Sequence, residues 1–330
     1  MSSPSVTGKK DKNINSSAIK EYPKIVEKAN LWYALSGTLI LISIVAIFLS
    51  FSKFGSPVKL GLDFTGGSKI EYSFKNPSKE ITPGSVRDQV LSKINDNLAA
   101  EAVAQVAENK FLILRTKEIS IEDREKLDSL LKETFGDFEV LAVDTVSGTI
   151  GPELLNSGLL ALGITLAGIL VFVSYRFRRD FALCAILALC HDVIIVVGTF
   201  AILGLVKGVE VNVLFLTACL TVLGFSIHDT IVVFDRVREN TKYLSKKKNL
   251  VQIINESISQ VWFRSVCTSL TVLMTLGALY IFGGETTKIF AGAMFAGVVT
   301  GSYSSIFIAS VTLGVWNQKY ESKRVSKSSK

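Results

Sequence analysis

Apolar residues run on in this chain for longer than a soluble fold needs. Crossing a bilayer takes roughly 20 apolar residues. Six stretches come close to that length: Leu31–Phe51, Leu155–Tyr175, Phe181–Leu203, a run from Val211 to about Phe234, Ser265–Phe282 and Ile289–Val315. Between the first two lies the one large polar region, Lys53 to about Pro152, and its pattern changes from runs to short alternations. Ser68–Phe74 alternates like a strand. Pro83–Leu98 reads as a helix, with Thr82 as N-cap and Pro83 at its first position. Ala102–Ala107 and Phe111–Thr116 read as two strands joined by Glu108-Asn109-Lys110. Ser120 caps a second helix with Leu127, Leu130, Leu131 and Phe135 on one face, and Gly136 ends it. Phe138–Val146 completes the set as a strand.

Strand, helix, strand, strand, helix, strand is the order of a ferredoxin-like split βαβ unit. The expected fold is therefore a membrane all-α bundle of six transmembrane helices, with one α+β ferredoxin-like extracytoplasmic domain between helices 1 and 2. The expected boundaries are a basic tail over 1–30, helix 1 over 31–51, the outer domain over 52–152, helices 2–6 over 153–316, and a second basic tail over 317–330. Within 236–264, Val251, Ile254, Ile258 and Val261 recur at helical spacing, which predicts an amphipathic helix along the membrane surface.

Composition agrees with the membrane class. Of the 330 residues 48% are hydrophobic and only 20% charged, and the mean hydropathy is +0.40. The net charge of +7 could suggest nucleic acid. The basic residues instead gather beside the apolar runs, as the positive-inside rule requires, and no aromatic-basic module accompanies them, so no nucleic-acid partner is expected. Lys9, Lys10, Lys12, Lys20, Lys24 and Lys28 precede the first run, and the first few residues read as disordered. Arg176, Arg178 and Arg179, then Lys246–Lys248, and finally Lys319, Lys323, Arg324, Lys327 and Lys330 mark alternate loops. That alternation places both termini in the cytoplasm and residues 53–152 outside. The first apolar core exceeds the 7–15 residues of a signal peptide, so it reads as an uncleaved anchor.

Candidate chemistry sits inside the apolar runs. His191 and Asp192 interrupt the third span about eleven residues past Phe181, roughly 16 Å along a helix. His228 and Asp229 interrupt the fourth, with Ile231–Phe234 still to follow. A mid-span aspartate costs about 2.5–3.5 kcal/mol on insertion scales. A partner charge, a water path or a bound proton would offset it. Arg264, at the start of the fifth span, lies at a compatible depth, although spacing alone also allows an interfacial anchor. His191 and Asp192 equally allow a polar contact between helices. Gly297 and Gly301 form a GxxxG pair in the sixth span, read as close helix packing. The outer region opens with Gly61-Leu62-Asp63-Phe64-Thr65-Gly66-Gly67, a backbone built to bend tightly or approach another chain. No Lys-Ser or Lys-Thr follows it, which argues against a phosphate loop. The outer region has no His or Cys, and Cys184, Cys190, Cys219 and Cys267 all lie in apolar runs. No metal site, cofactor or nucleophile–base pair is expected.

These motifs together carry a resemblance. GLDFTGG at Gly61–Gly67, HDV at His191–Val193, SIHDTIVVFDRVREN at Ser226–Asn240 and FGGE at Phe282–Glu285 are similar to those of the SecF side of the SecD/SecF family, a branch of the RND superfamily of proton-driven exporters. The resemblance covers nearly the whole chain. It implies a proton pathway with Asp229 and Arg264 in the family's functional positions. His228 stands where the family commonly has Asn. It implies a bacterial inner (plasma) membrane protein, or one of thylakoids, that assists a translocating polypeptide beside the SecYEG channel. A SecD-like subunit would supply the other half of the unit, with YajC a possible further partner. Two other readings stay open on sequence: half of an RND small-molecule or lipid exporter, and an aspartyl protease built on Asp192 and Asp229. The latter lacks the GxGD motif, and its carboxylates sit at different depths.

Overall fold

The computed structural model describes residues 22–94, 99, 102–117, 119–148, 150–245 and 247–318. The lysine-rich segments before Tyr22 and after Gln318, and residues 95–98 at the expected end of the first outer helix, lie outside that set.

The polar region forms one antiparallel sheet covered on one face by helices. Its strands are β1 (Gly67–Phe74), β2 (Val103–Ala107), β3 (Phe111–Thr116) and β4 (Phe138–Val146), in the order β2-β3-β1-β4. Glu108 and Asn109 both take positive φ, and Lys110 N donates to Ala107 O, which turns β2 into β3 through a three-residue connection. Period-two alternation sends Ile70, Tyr72 and Phe74 of β1 inward, with Leu112 and Leu114 of β3 beside them. Val86, Val90 and Leu91 cover them from α3, which starts at Pro83–Val86, widens into a π turn over Arg87–Leu91 and resumes over Ser92–Ile94. Leu127, Leu131 and Phe135 cover them from α4 (Ile121–Phe135). Thr82 and Ser85 make a reciprocal capping box at the start of α3, and the Ser120 hydroxyl accepts from Asp123 N at the start of α4.

Six helices are long and apolar enough to cross a membrane. They are α1 (Ala29–Phe54), α5 (Ile150–Arg176), α6 (Arg179–Lys207), α7 (Val213–Leu244), α8 (Leu250–Phe282) and α9, which runs from Glu285–Ser304 through a π turn at Ser305–Ala309 to Gln318. α6 and α9 are the most enclosed, while α5 is exposed along nearly all its length. Small residues set this arrangement. A Cβ on Gly198 of α6 would lie 2.2 Å from Ser43 of α1, and one on Gly297 of α9 would lie 2.1 Å from a methyl of Val222 on α7.

The surface helix expected within 236–264 is not a separate element. Residues 250–282 form one continuous helix that contains both the amphipathic stripe and the fifth span. Val251, Ile254, Ile258 and Val261 are buried in the main core cluster with Val26 and Val237. The reason is the length of α7. Its 32 residues reach roughly 48 Å, against a hydrocarbon thickness of about 30 Å. The overhang gives the stripe a protein partner, and Asn240 Nδ2 donates to Ser257 Oγ across that pair at 2.8 Å.

A candidate proton site within the helix bundle

Two carboxylates are buried among α6, α7, α8 and α9. Asp192 is fully enclosed. Its Oδ2 accepts from Ser226 Oγ of α7 at 2.5 Å and from Ser304 Oγ of α9 at 2.7 Å, and its Oδ1 lies 2.9 Å from His191 Nδ1. Asp229, 4% exposed, sits about one turn along α7 from Ser226. Its Oδ2 accepts from Ser302 Oγ at 3.3 Å. Ser302 also meets Ser269 of α8 at 2.6 Å, so that contact extends from α7 through α9 to α8. Next to these contacts along α7 and α9, Thr230 and Ser305 share a hydrogen bond of 2.8 Å.

Gly301 makes this convergence possible. A Cβ there would stand 3.0 Å from Ser226 Cβ. With only hydrogen in that place, α9 approaches closely enough for Ser302, Ser304 and Ser305 to reach across. The π turn begins at Ser305, and Ser310 Oγ donates back to the Ser305 carbonyl at 2.9 Å. Single π turns inside α-helices are frequent at functional positions.

The other expected site residues are placed differently. Spacing pairs Asp229 with Arg264, but no ion pair joins them among the described residues, and Arg264 is exposed. Ser265 and Ser269 present the face of α8 that meets α9, and Arg264 stands about 100° round the helix from Ser265. His228 is exposed on the outer side of α7. His191 is 3% exposed, and its Nε2 has no hydrogen-bond partner among the described residues. Its ring lies 6.1 Å from that of Tyr303. Asp192 and Asp229 accept from separate serines, which is not the shared-proton geometry of an aspartyl protease dyad.

Spacing did not single out Ser226, Ser269, Ser302, Ser304 or Ser305. The legible signal was the polar run Gly301-Ser302-Tyr303-Ser304-Ser305, set directly after GxxxG in an otherwise apolar span.

The glycine motif is tied to the same helix from its other end. Gly61 N donates to Val211 O at 2.8 Å and Val211 N to Lys59 O at 2.9 Å, forming a short parallel bridge. Asp63 Oδ2 then accepts from Val213 N at 2.9 Å, at the first residue of α7. Glu210 receives Lys59 Nζ at 3.0 Å and pairs with Arg115 of β3. Gly66 and Gly67 have φ of +70° and +114°, and Cβ atoms there would lie 2.6 Å from Gly148 Cα and 2.4 Å from Thr116 O. The motif is therefore clamped between the sheet and α7.

Known proteins place the chain. Residues 126–319 match the model of the family described as protein export membrane protein SecD/SecF, C-terminal, and residues 54–78 match the SecD/SecF GG motif. The chain is 39% identical over 298 residues to the protein translocase subunit SecF of Synechocystis sp., covering 88% of this chain and 93% of that one. It is 36% identical over 285 residues to the protein translocase subunit SecF of Pseudomonas aeruginosa, covering 86% and 88%. Among solved structures it is similar to SecDF of Thermus thermophilus, a translocon-associated membrane protein, with a TM-score of 0.75 and 31% identity over 91% of this chain. It spans 39% of that longer chain's length. By the extent of the family match and the identity to these relatives, the chain belongs to the SecD/SecF family of protein-export membrane proteins.

Proposed function

We propose that the chain acts as the SecF subunit of a SecD–SecF assembly, using the proton gradient to assist a translocating polypeptide at the SecYEG channel. The observation that carries this reading is the pair of buried carboxylates, Asp192 and Asp229, contacted by successive serines of one helix. Intramembrane carboxylates mark ion and proton pathways by default. Asp229 has the sparser hydrogen bonding, so it is the group that exchanges its proton. Arg264 is its counter-charge in a second packing of α7 and α8, and Asp229 is ionised in that packing. When the helices separate, Asp229 takes a proton from the outer side. Each protonation state favours a different packing, and proton flow thereby drives a cycle. His191, Asp192 and the exposed His228 lie along the same pathway.

The sheet order β4-β1-β3-β2, with both helices on one face, supports a ferredoxin-like outer domain. The Lys and Arg distribution supports cytoplasmic termini in a bacterial plasma membrane, or a thylakoid membrane in a source that has one. The long SecDF chain among the similar structures supports a SecD-like partner for this shorter chain; YajC is a further candidate partner. The exporter reading has less support, because the named relatives are translocase subunits.

The test is export of a secretory protein into membrane vesicles containing the assembled complex, with and without a proton gradient. Asp229→Asn keeps shape and hydrogen bonding but cannot titrate. It should assemble normally and lose the gradient-dependent part of export. A full response to the gradient in that variant would make Asp229 a structural contact and move the role to Asp192.

A further inference from the structure

A cavity of about 350 Å³ opens between the segment leading into α1, the first half of α8 and the π turn of α9, lined by Pro23, Ile25, Ile258, Ser259, Trp262 and Phe307. That volume falls within the range of small-molecule sites, about 300–1,000 Å³. Its lining side chains are apolar apart from the Ser259 hydroxyl and the indole N–H of Trp262. Ser259 Oγ is buried, with no hydrogen-bond partner among the described residues. A buried hydroxyl without a partner costs free energy, and helical serines ordinarily relieve it on a carbonyl one turn back.

Tryptophans gather around the cavity. Trp32 and Trp262, from α1 and α8, both contact the Phe307 ring, at 4.1 Å and 6.0 Å between centroids. The chain has three tryptophans, and the third, Trp316, stands near the same end of the bundle. Tryptophan gathers where hydrocarbon meets headgroups.

The charges beside the cavity are uneven. Glu27 accepts from Asn255 Nδ2 at 2.8 Å, and Glu256 is taken by Lys248 at 2.6 Å and Tyr22 at 2.9 Å. Lys24 stands between two lining residues, and Lys28 follows Ile25 by three residues. Neither forms an ion pair among the described residues, and both are exposed. The nearby carboxylates are thus occupied while two cations remain available.

We propose that this cavity holds one acyl chain of an anionic phospholipid. Ser259 donates to the ester carbonyl, and Lys24 and Lys28 hold the headgroup phosphate. The site would fasten the segment leading into α1 to α8 and the π turn of α9. It does not depend on the proton role of Asp229.

The test uses the full chain with its SecD-like partner in lipid nanodiscs. Phosphatidylglycerol with a photoreactive group on one acyl chain is compared with phosphatidylcholine carrying the same chain. Label should concentrate on peptides containing Ile258–Trp262 and Phe307, above that on the exposed residues Leu160 and Val171 of α5. The anionic probe should be favoured by about fivefold for each lysine. Lys24→Gln with Lys28→Gln, both on the surface, should bring the two probes to parity while the fold is kept. Ser259→Phe should fill the cavity and abolish the concentrated label. Labelling no stronger than on α5 overturns the site, and equal labelling by both probes in the parent overturns its anionic selectivity.

Discussion

Asp63 Oδ2 and Val213 N are joined at 2.9 Å, so the glycine motif supplies a cap to the helix that carries Asp229. The two residues are 150 positions apart. Asn212 makes the ordinary local cap, accepting from Phe215 N at 3.2 Å, and Asp63 satisfies another of the first-turn donors that a helix leaves unpaired. Asp63→Ala should cost about 1 kcal/mol of helix-end stability. Asp63→Asn keeps an accepting oxygen and should cost less. Amide hydrogen exchange over 213–217 in the assembled complex checks this, with faster exchange expected in Asp63→Ala only.

Gly66 and Gly67 should not tolerate side chains. Both have positive φ, and both would drive a Cβ into backbone atoms that cannot rotate away. Gly66→Val with Gly67→Val should leave the six spans inserted and impair export. Protease accessibility of residues 67–146 and vesicle export read the two effects separately. Normal export in the double variant would remove the clamp from the mechanism.

Close approach of α9 and α7 makes a rescue prediction. Gly297→Ala would press a methyl onto Val222, and overpacking of this kind typically costs about 1–3 kcal/mol. Val222→Ala vacates the same space. The double variant should recover most of the thermal stability lost by Gly297→Ala. Additive losses would mean that the two residues do not share that contact.

The serines should differ in weight. Ser304 Oγ reaches Asp192 at 2.7 Å, whereas Ser302 Oγ reaches Asp229 at 3.3 Å. A side-chain hydrogen bond contributes about 0.5–1.5 kcal/mol net, and a long one less. Ser304→Ala should therefore lower the melting temperature of the complex more than Ser302→Ala. Ser302→Ala should instead act on the gradient-dependent part of export.

The sheet domain makes a prediction about alkaline pH. Tyr72 is buried and donates to Asp128 Oδ1 at 2.7 Å. Burial, then the bond to Asp128, holds its phenol well above the usual tyrosine range. A raised pKa favours the protonated form in the folded state. Its contribution is complete below the unfolded value of about 10, and it is lost as pH rises from there toward the folded value. Tyr72→Phe should cost about 1 kcal/mol at neutral pH and remove this part of the alkaline loss. Melting curves at pH 8 and above pH 10 give both comparisons.

Much of the architecture was legible because its causes are local. Bilayer length sets the six apolar runs. Alternation sets Ile70, Tyr72 and Phe74 on one face of β1, and Thr82, Ser120 and Gly136 mark helix ends by bonds to residues within one turn. The intramembrane carboxylates were legible too, since charge within an apolar run stands out against its cost. What only the tertiary structure decided was rotation about the helix axes. It turns Ser302 and Ser304 toward the carboxylates and Ser305 toward Thr230, leaves Arg264 exposed, and covers the stripe from Val251 to Val261 with the overhang of α7. The Asp63 cap belongs to the same class. A contact between residues 150 positions apart leaves no periodic mark on either segment, because it depends on how two separately formed elements meet.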